Sequence, residues 1–97
     1  ATQEKSVYMV SLGPTCNETA FNLMQDLRAA GVRTEGGLFD KNAKGQMKQA
    51  NRCGAAIALI LGEDELAANQ ITLKDLVSGE QKQIPLENVI TEVKKLV

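Results

Sequence analysis

An uninterrupted apolar run at residues 55–61 stands among stretches where apolar and polar positions alternate or recur with helical spacing. The run is too short for a membrane span and too uniform for a surface strand, so it predicts a strand buried on both faces of a parallel sheet. Residues 7–12 and 32–35 predict two further strands. Residues 70–77 and 80–84 alternate partly around a Ser-Gly pair, which predicts a hairpin with one exposed face.

Three other stretches have helical spacing. Thr15 to Glu18 has the form of a capping box, and the helix after it carries an apolar stripe that ends before Gly31. The stripe comprises Ala20, Phe21, Met24, Leu27 and Ala30. A weaker helix is predicted around residues 43–53, capped by Asp40 or Asn42, with Ala43, Met47, Ala50 and Cys53 facing inward. The clearest amphipathic helix follows Pro85, with Leu86, Val89, Ile90, Val93, Leu96 and Val97 on its apolar side.

This order of elements, β-α-β-α-β followed by a hairpin and a helix, predicts an α/β fold. We expect a three-layer α/β/α architecture around a five-stranded mixed sheet, because right-handed crossovers make the first three strands parallel. The 97 residues predict a single domain, 1–97, in which residues 1–6 are a linker or a disordered start. Since ligands of open α/β sheets bind beyond the carboxyl ends of the strands, the site is expected at residues 11–13, 36–41 and 62–65.

Composition narrows the functional classes. The chain lacks an apolar stretch of membrane-spanning length and its first residues lack a signal-peptide pattern, so we expect no membrane contact and a cytoplasmic location. Reduced thiols are then the default, with one disulfide between the two cysteines as the alternative. Two distant cysteines and no histidine predict the absence of a metal site. The formal net charge is −1, which is unusual for a nucleic-acid-binding domain. The charge is nevertheless polarised, because residues 41–52 contain four cations and no acid, whereas residues 63–65 are all acidic.

The four cations are the first candidate for a binding function. Lys44, Lys48 and Arg52 are spaced four apart and would line one side of the second helix, where they could follow a phosphate backbone. The alternative is an ordinary solvated helix face. Phe39, in the loop after the second strand, is the aromatic residue expected to meet a nucleic-acid base, since Phe21 is predicted to lie in the core and Tyr8 in a strand.

Catalytic alternatives have weaker support. Cys16, after the first strand, has the position of a phosphocysteine nucleophile, but small tyrosine phosphatases require an Arg where this chain has Asn22. Gly13 to Thr15 could present amides to a phosphate, although a plain turn is the alternative. The carboxylates of residues 63–65 could serve acid–base chemistry or bind a metal, but they have no partner at a recognisable spacing, so a solvated turn is the default interpretation.

Five short segments, in order and spacing, resemble a known family: VYMVSLG, LRAAGVRTE, GQMKQANRCGA, the buried strand with GEDEL, and ITLKDLVSGEQ. Together they resemble the anticodon-binding domain at the C-terminus of class II aminoacyl-tRNA synthetases, most closely that of the histidyl enzyme. The likeness extends from Val7 to Val97. Threonyl and prolyl enzymes look similar through the first three strands, whereas the hairpin segments around Asp75 and Glu80 favour the histidyl enzyme.

The resemblance implies tRNA binding without catalysis in this chain. Anticodon bases would be held at the strand ends, with backbone amides and Ser11 meeting bases and lysines meeting phosphates. The expected RNA-binding residues are Ser11, Leu12, Gly13, Phe39, Asp40, Lys41, Lys44, Gln46, Met47, Lys48, Arg52 and Glu63. The domain would need no cofactor; a separate catalytic domain of the parent enzyme, a homodimer, would use ATP and magnesium to attach histidine to tRNA. Two alternatives remain: a synthetase-like protein-interaction module, or the anticodon domain of a threonyl, prolyl or glycyl enzyme.

Overall fold

The computed structural model describes residues 5–37 and 42–97. The elements are β1 (Val7–Ser11), a 3-10 turn (Pro14–Cys16), α1 (Asn17–Ala29), β2 (Thr34–Gly36), α2 (Ala43–Arg52), β3 (Ile57–Leu61), α3 (Glu63–Ala67), β4 (Gln70–Asp75), β5 (Gln81–Pro85), a second 3-10 turn (Leu86–Asn88) and α4 (Val89–Leu96). The predicted order is confirmed. The acidic turn after the buried strand is a short helix instead, because three carboxylates occupy its first turn and favour the positive end of the helix dipole.

The five strands form one mixed sheet in the order β2-β1-β3-β4-β5. β1 is parallel to both β2 and β3, whereas β4 and β5 are antiparallel to their neighbours. The uniformly apolar β3 therefore lies in the middle of the sheet, as its sequence predicts. Ser11 pairs with Leu61, so the carboxyl ends of β1 and β3 lie side by side.

Alternate residues of the strands enter two separate hydrophobic clusters, one on each face of the sheet. Met9 and Leu59 pack on the face covered by α1 and α4, which contribute Leu27 and Val93. Tyr8 packs on the opposite face with Ala50 of α2. The predicted three layers are thereby confirmed. Burial raises the pKa of Tyr8, and its hydroxyl has no hydrogen-bond partner within the described ranges.

Two predictions about α1 are wrong. The helix buries Ala20, Leu23, Met24 and Leu27, while Phe21 is 49% exposed. The apolar stripe is thus rotated towards Leu23, which leaves Phe21 at its margin. The capping box does not form either, because α1 has no side-chain cap and the Thr15 hydroxyl donates to the Glu63 carboxylate, 3.1 Å away.

The second helix is confirmed, and its predicted inner face is confirmed in part, because Ala50 is buried and Met47 packs against the same cluster. Asn42 caps it by accepting a hydrogen bond from the Gly45 amide at 2.8 Å. Ala43 and Cys53 are exposed, contrary to prediction, whereas Gln46 is buried. The strand before this helix begins at residue 34 rather than 32. The reason is that the amide of residue 32 is still bonded to the carbonyl of Leu27, in the turn that ends α1.

The hairpin between β4 and β5 turns as predicted. The Asp75 carboxylate accepts hydrogen bonds from the amides of Val77 and Ser78, and Gly79 adopts a φ of 83°. The bonds from Ser78 and Val77 lower the pKa of Asp75 from its ordinary value, because they stabilise the ionised form. This turn lies at the amino-terminal edge of β3, since Asp75 pairs with Ile57. None of the helices in the described ranges has the length and apolar character needed to cross a bilayer.

Candidate nucleic-acid interface

The carboxyl ends of the three parallel strands form one closely packed edge, here called the strand-end edge. The Leu12 amide donates to the Leu61 carbonyl at 2.9 Å, which continues the pairing of β1 and β3 past Ser11. On the other side of β1, Gly36 pairs with Met9 at a φ of 122°, and a Cβ there would lie 2.8 Å from the Met9 carbonyl oxygen. Glycine is therefore required where β2 meets this edge.

Gln46 completes the edge where β2 stops short. The Ser11 amide donates to Gln46 Oε1 at 2.9 Å, and Gln46 Nε2 donates to the Ser11 carbonyl at 2.7 Å. Pairing of β1 with β2 ends at Met9, two residues earlier, so the side-chain amide takes the place that a further β2 peptide group would occupy. Because Gln46 is 2% exposed, we infer that it acts by holding the strand end in place.

The hydroxyl of Ser11 is also engaged within the protein. Its Oγ donates to Asn17 Oδ1 at 2.7 Å and lies 3.2 Å from the Gly13 carbonyl, and the residue is 3% exposed. The accessible groups at this strand end are instead those of Leu12, which is 42% exposed, and the half-buried Gly13. The sequence did not mark Asn17, because its bond to Ser11 crosses a turn and leaves no local pattern.

The ends of β1 and β3 are joined by Glu63. Its Oε1 accepts the hydrogen bond from Thr15, and a Cβ built on Gly13 would lie 3.2 Å from the same oxygen. The carboxylate is exposed, so its remaining acceptor positions face solvent. Together with Asp64 and Glu65 it makes this side of the strand-end edge negative.

Three cations form what we call the basic stripe, comprising Lys44, Lys48 and Arg52 of α2. All three are exposed, on the side of the helix opposite Gln46 and Ala50. Their Cα atoms span about 12 Å along the helix axis. Among the residues that the structure describes, no carboxylate forms an ion pair with any of them. The stripe is therefore available to an anionic ligand.

The predicted RNA-binding residues thus divide by location. Residues 11–13 and Glu63 lie at the strand-end edge, and α2 begins beside it with Lys44, followed by Gln46 and the half-buried Met47. Lys48 and Arg52 lie farther along that helix. Phe39, Asp40 and Lys41 fall outside the described residues.

The catalytic alternative at Cys16 lacks an accessible thiol. Cys16 is fully buried in the main core, so its thiol is closed to a phosphoryl donor, and both cysteines are free. Within residues 5–37 and 42–97 no three side chains of the metal-binding types come together.

Comparison with known proteins agrees with this geometry. Residues 6–96 match the model of the anticodon binding domain family. A histidine–tRNA ligase of Elusimicrobium minutum is 46% identical over 94 residues, which cover 97% of this chain and 23% of that protein. Apo histidyl-tRNA synthetase of S. aureus superposes with a TM-score of 0.84 at 30% identity, covering 92% of this chain and 23% of that one.

A more distant enzyme shares the fold. The RNA binding domain of threonyl-tRNA synthetase from Cryptosporidium parvum superposes with a TM-score of 0.82 at 16% identity, covering 94% of this chain and 23% of that one. The chain thus spans about a quarter of the length of the proteins it matches. The resemblance drawn from the five sequence segments is confirmed: the chain belongs to the anticodon binding domain family and is of the histidyl-tRNA synthetase type.

Proposed function

We propose that this domain binds the anticodon stem-loop of histidine tRNA at the strand-end edge, with the basic stripe on the phosphates. The exposed cations of α2, which form no ion pair with any carboxylate that the structure describes, carry the proposal, because they begin beside an edge where Leu12 and Glu63 are exposed. Phosphate contacts would position the RNA, and groups at the edge would distinguish its bases.

Each part of the edge has a role in this proposal. Leu12 and Gly13 offer apolar surface and backbone groups, and Glu63 offers an acceptor to base N–H donors. Ser11 and Gln46 fix the position of the edge through their mutual hydrogen bonds. Phe39, Asp40 and Lys41 remain proposed contacts on sequence grounds alone.

The proposal extends to the parent protein. In the parent protein, this domain would position tRNA for a separate catalytic domain that uses ATP and magnesium to activate histidine. The parent protein would be a cytoplasmic homodimer. The support is the similarity of nearly the whole chain to part of histidine–tRNA ligases.

The test is a titration of the 97-residue chain with an anticodon stem-loop of histidine tRNA, against the same hairpin with its anticodon replaced, at two salt concentrations. We expect tighter binding of the histidine anticodon. Replacing the whole basic stripe by Ala should weaken binding of both hairpins and lower the salt slope by about 2–3, since each lost phosphate contact lowers it by about 0.7–0.9.

The matched control removes the same amount of charge elsewhere, by replacing Lys5, Lys94 and Lys95 with Ala. Lys5 and Lys94 border a cavity next to Gly31 and Val32, at the amino-terminal end of the sheet. This control should bind both hairpins like the parent chain. Equal losses in the two triple variants would show that only overall charge matters, and failure of the parent chain to bind would contradict the proposal and favour a protein-interaction module.

A further inference from the structure

Phe21 is a large apolar side chain that the fold leaves uncovered. It is 49% exposed on α1, although its neighbours Ala20 and Met24 are buried in the main core. Tyr8 is buried, so Phe21 is the one exposed aromatic residue among those the structure describes. An exposed aromatic ring can stack on a nucleic-acid base.

Three contacts of α1 show which side of the helix Phe21 occupies. Asn17, one turn before it, accepts the hydrogen bond of Ser11. Met24, three residues after it, has its Cε 3.8 Å from a Cβ built on Gly37, just beyond β2. Arg28, seven residues after it, donates to the Thr34 carbonyl of β2. Residues at these spacings lie on one side of a helix, so Phe21 is on the flank that faces β2.

The ring also lies close to the strand-end edge. α1 begins at residue 17 beside that edge, and Phe21 is four residues along it, about 6 Å of helix rise. Side chains of a helix lean towards its N-terminus, which brings the ring nearer to the edge.

The surroundings of the ring favour a base over a phosphate. Asn22 and Gln25 are exposed, uncharged and able to form hydrogen bonds with base edges. Glu18, one turn before Phe21, is exposed and would repel a phosphate. Arg28, the cation on this flank, donates to the Thr34 carbonyl, whereas the basic stripe lies on α2, which covers the other face of the sheet.

We propose that Phe21 is a stacking platform for an unpaired base of the RNA bound at the strand-end edge. This inference rests on the proposed function. The RNA would then extend across the edge, with its phosphates along the basic stripe and one unstacked base on α1.

The test compares Phe21→Ala, Phe21→Leu and Phe21→Trp in binding of the stem-loop. Loss of stacking should weaken binding about 5- to 150-fold in the Ala variant. The Leu variant should lose as much affinity for the stem-loop as the Ala variant, because Leu has apolar surface but no π face. The Trp variant should bind the stem-loop as tightly as the parent chain. Val77→Ala, at the 85% exposed hairpin tip, is the control for removing an exposed apolar side chain at the far end of the sheet.

The Trp variant gives a second measurement. The chain has no other tryptophan, so a stacked base should quench the emission of Trp at position 21. Val77→Trp should keep its emission when the same hairpin is added. Urea midpoints of the three Phe21 variants should stay close to that of the parent chain, because the ring is half exposed.

The outcomes separate this inference from the function on which it rests. If the basic-stripe variant loses binding while Phe21→Ala does not, the RNA function stands and Phe21 is not a stacking residue. Binding by Phe21→Leu at the parent level would also overturn stacking. Failure of the parent chain to bind either hairpin would overturn both proposals.

Discussion

Replacing Gln46 with Leu should destabilise the domain strongly, although no apolar contact is lost. The substitution leaves the Ser11 amide and carbonyl without their partners at 2.9 and 2.7 Å. Each buried, unsatisfied main-chain group costs about 1–3 kcal/mol, so the expected loss is about 2–6 kcal/mol. For a domain of this size that is a large share of a total stability of about 5–15 kcal/mol. Urea unfolding followed by far-UV circular dichroism should show a midpoint about 1–3 M lower.

Gln49→Leu is the matched control, because Gln49 lies on the same helix with a partly exposed side chain. It should change the free energy of unfolding by at most about 0.5 kcal/mol. If Gln46→Leu lowers the free energy of unfolding no more than Gln49→Leu does, the inference that the Gln46 side-chain amide replaces a strand peptide group is wrong.

Gln46→Glu tests the same two bonds through pH. A protonated Glu can donate to the Ser11 carbonyl and accept from its amide, whereas the ionised form can only accept. Burial should raise the pKa of this carboxyl above its ordinary value of about 4.3. With a raised folded-state pKa, the free energy of unfolding of the variant is closest to that of the parent chain below about pH 4. It falls as pH rises through the folded-state pKa. A stability difference that does not change between pH 4 and 8 would contradict the proposed bonding.

Three further predictions concern other parts of the fold. Gly36→Ala should lower the free energy of unfolding by about 2–4 kcal/mol, because its Cβ would lie 2.8 Å from the Met9 carbonyl oxygen. Gly54→Ala should lower it by only about 1–2 kcal/mol, because Gly54 has a φ of 74° but open space around it. Equal urea midpoints of the two variants would contradict this prediction. Asp75→Ala should lower the urea midpoint at pH 7. Because the folded-state pKa of Asp75 is lowered, its ionised carboxylate stabilises the fold at pH values above its unfolded pKa. The difference in urea midpoint between the parent chain and Asp75→Ala should therefore disappear as pH falls below about 4. A thiol reagent should label the exposed Cys53 in the folded protein and the buried Cys16 only after unfolding; rapid labelling of both would contradict the structure.

The sheet could be predicted from the sequence because its determinants are local. A uniformly apolar segment fits only the middle of the sheet, and β3 lies there. Helical crossovers then make β1, β2 and β3 parallel, which predicts the edge at which a ligand is expected to bind. The hairpin was equally clear, since Ser78 and Gly79 separate two partly alternating segments.

The details of the site depended on contacts between distant segments. An apolar stripe shows that a helix is amphipathic, but the residues packed against it decide whether Phe21 or Leu23, at the two margins of the stripe, enters the core. The Thr15 hydroxyl bonds to a carboxylate 48 residues away instead of capping its own helix. The family resemblance places Gln46 among the RNA-binding residues, yet in the structure its bonds to Ser11 cross 35 residues. Contacts between residues so distant in the sequence produce no periodic pattern along the chain, so only the folded structure reveals them.

The distribution of charge over the fold explains how a chain of net charge −1 can bind an RNA ligand in the proposed complex. Interactions between exposed charges are screened beyond about 8–10 Å at physiological salt, so a phosphate responds to nearby groups more than to the total. Near α2 those groups are the basic stripe, and near α3 they are three carboxylates in one helical turn. In the proposed complex, this gradient would keep the phosphates on the α2 side. Bases, which are uncharged, could then approach Glu63 and Phe21 without electrostatic cost, so the acidic residues would orient the RNA instead of weakening its binding.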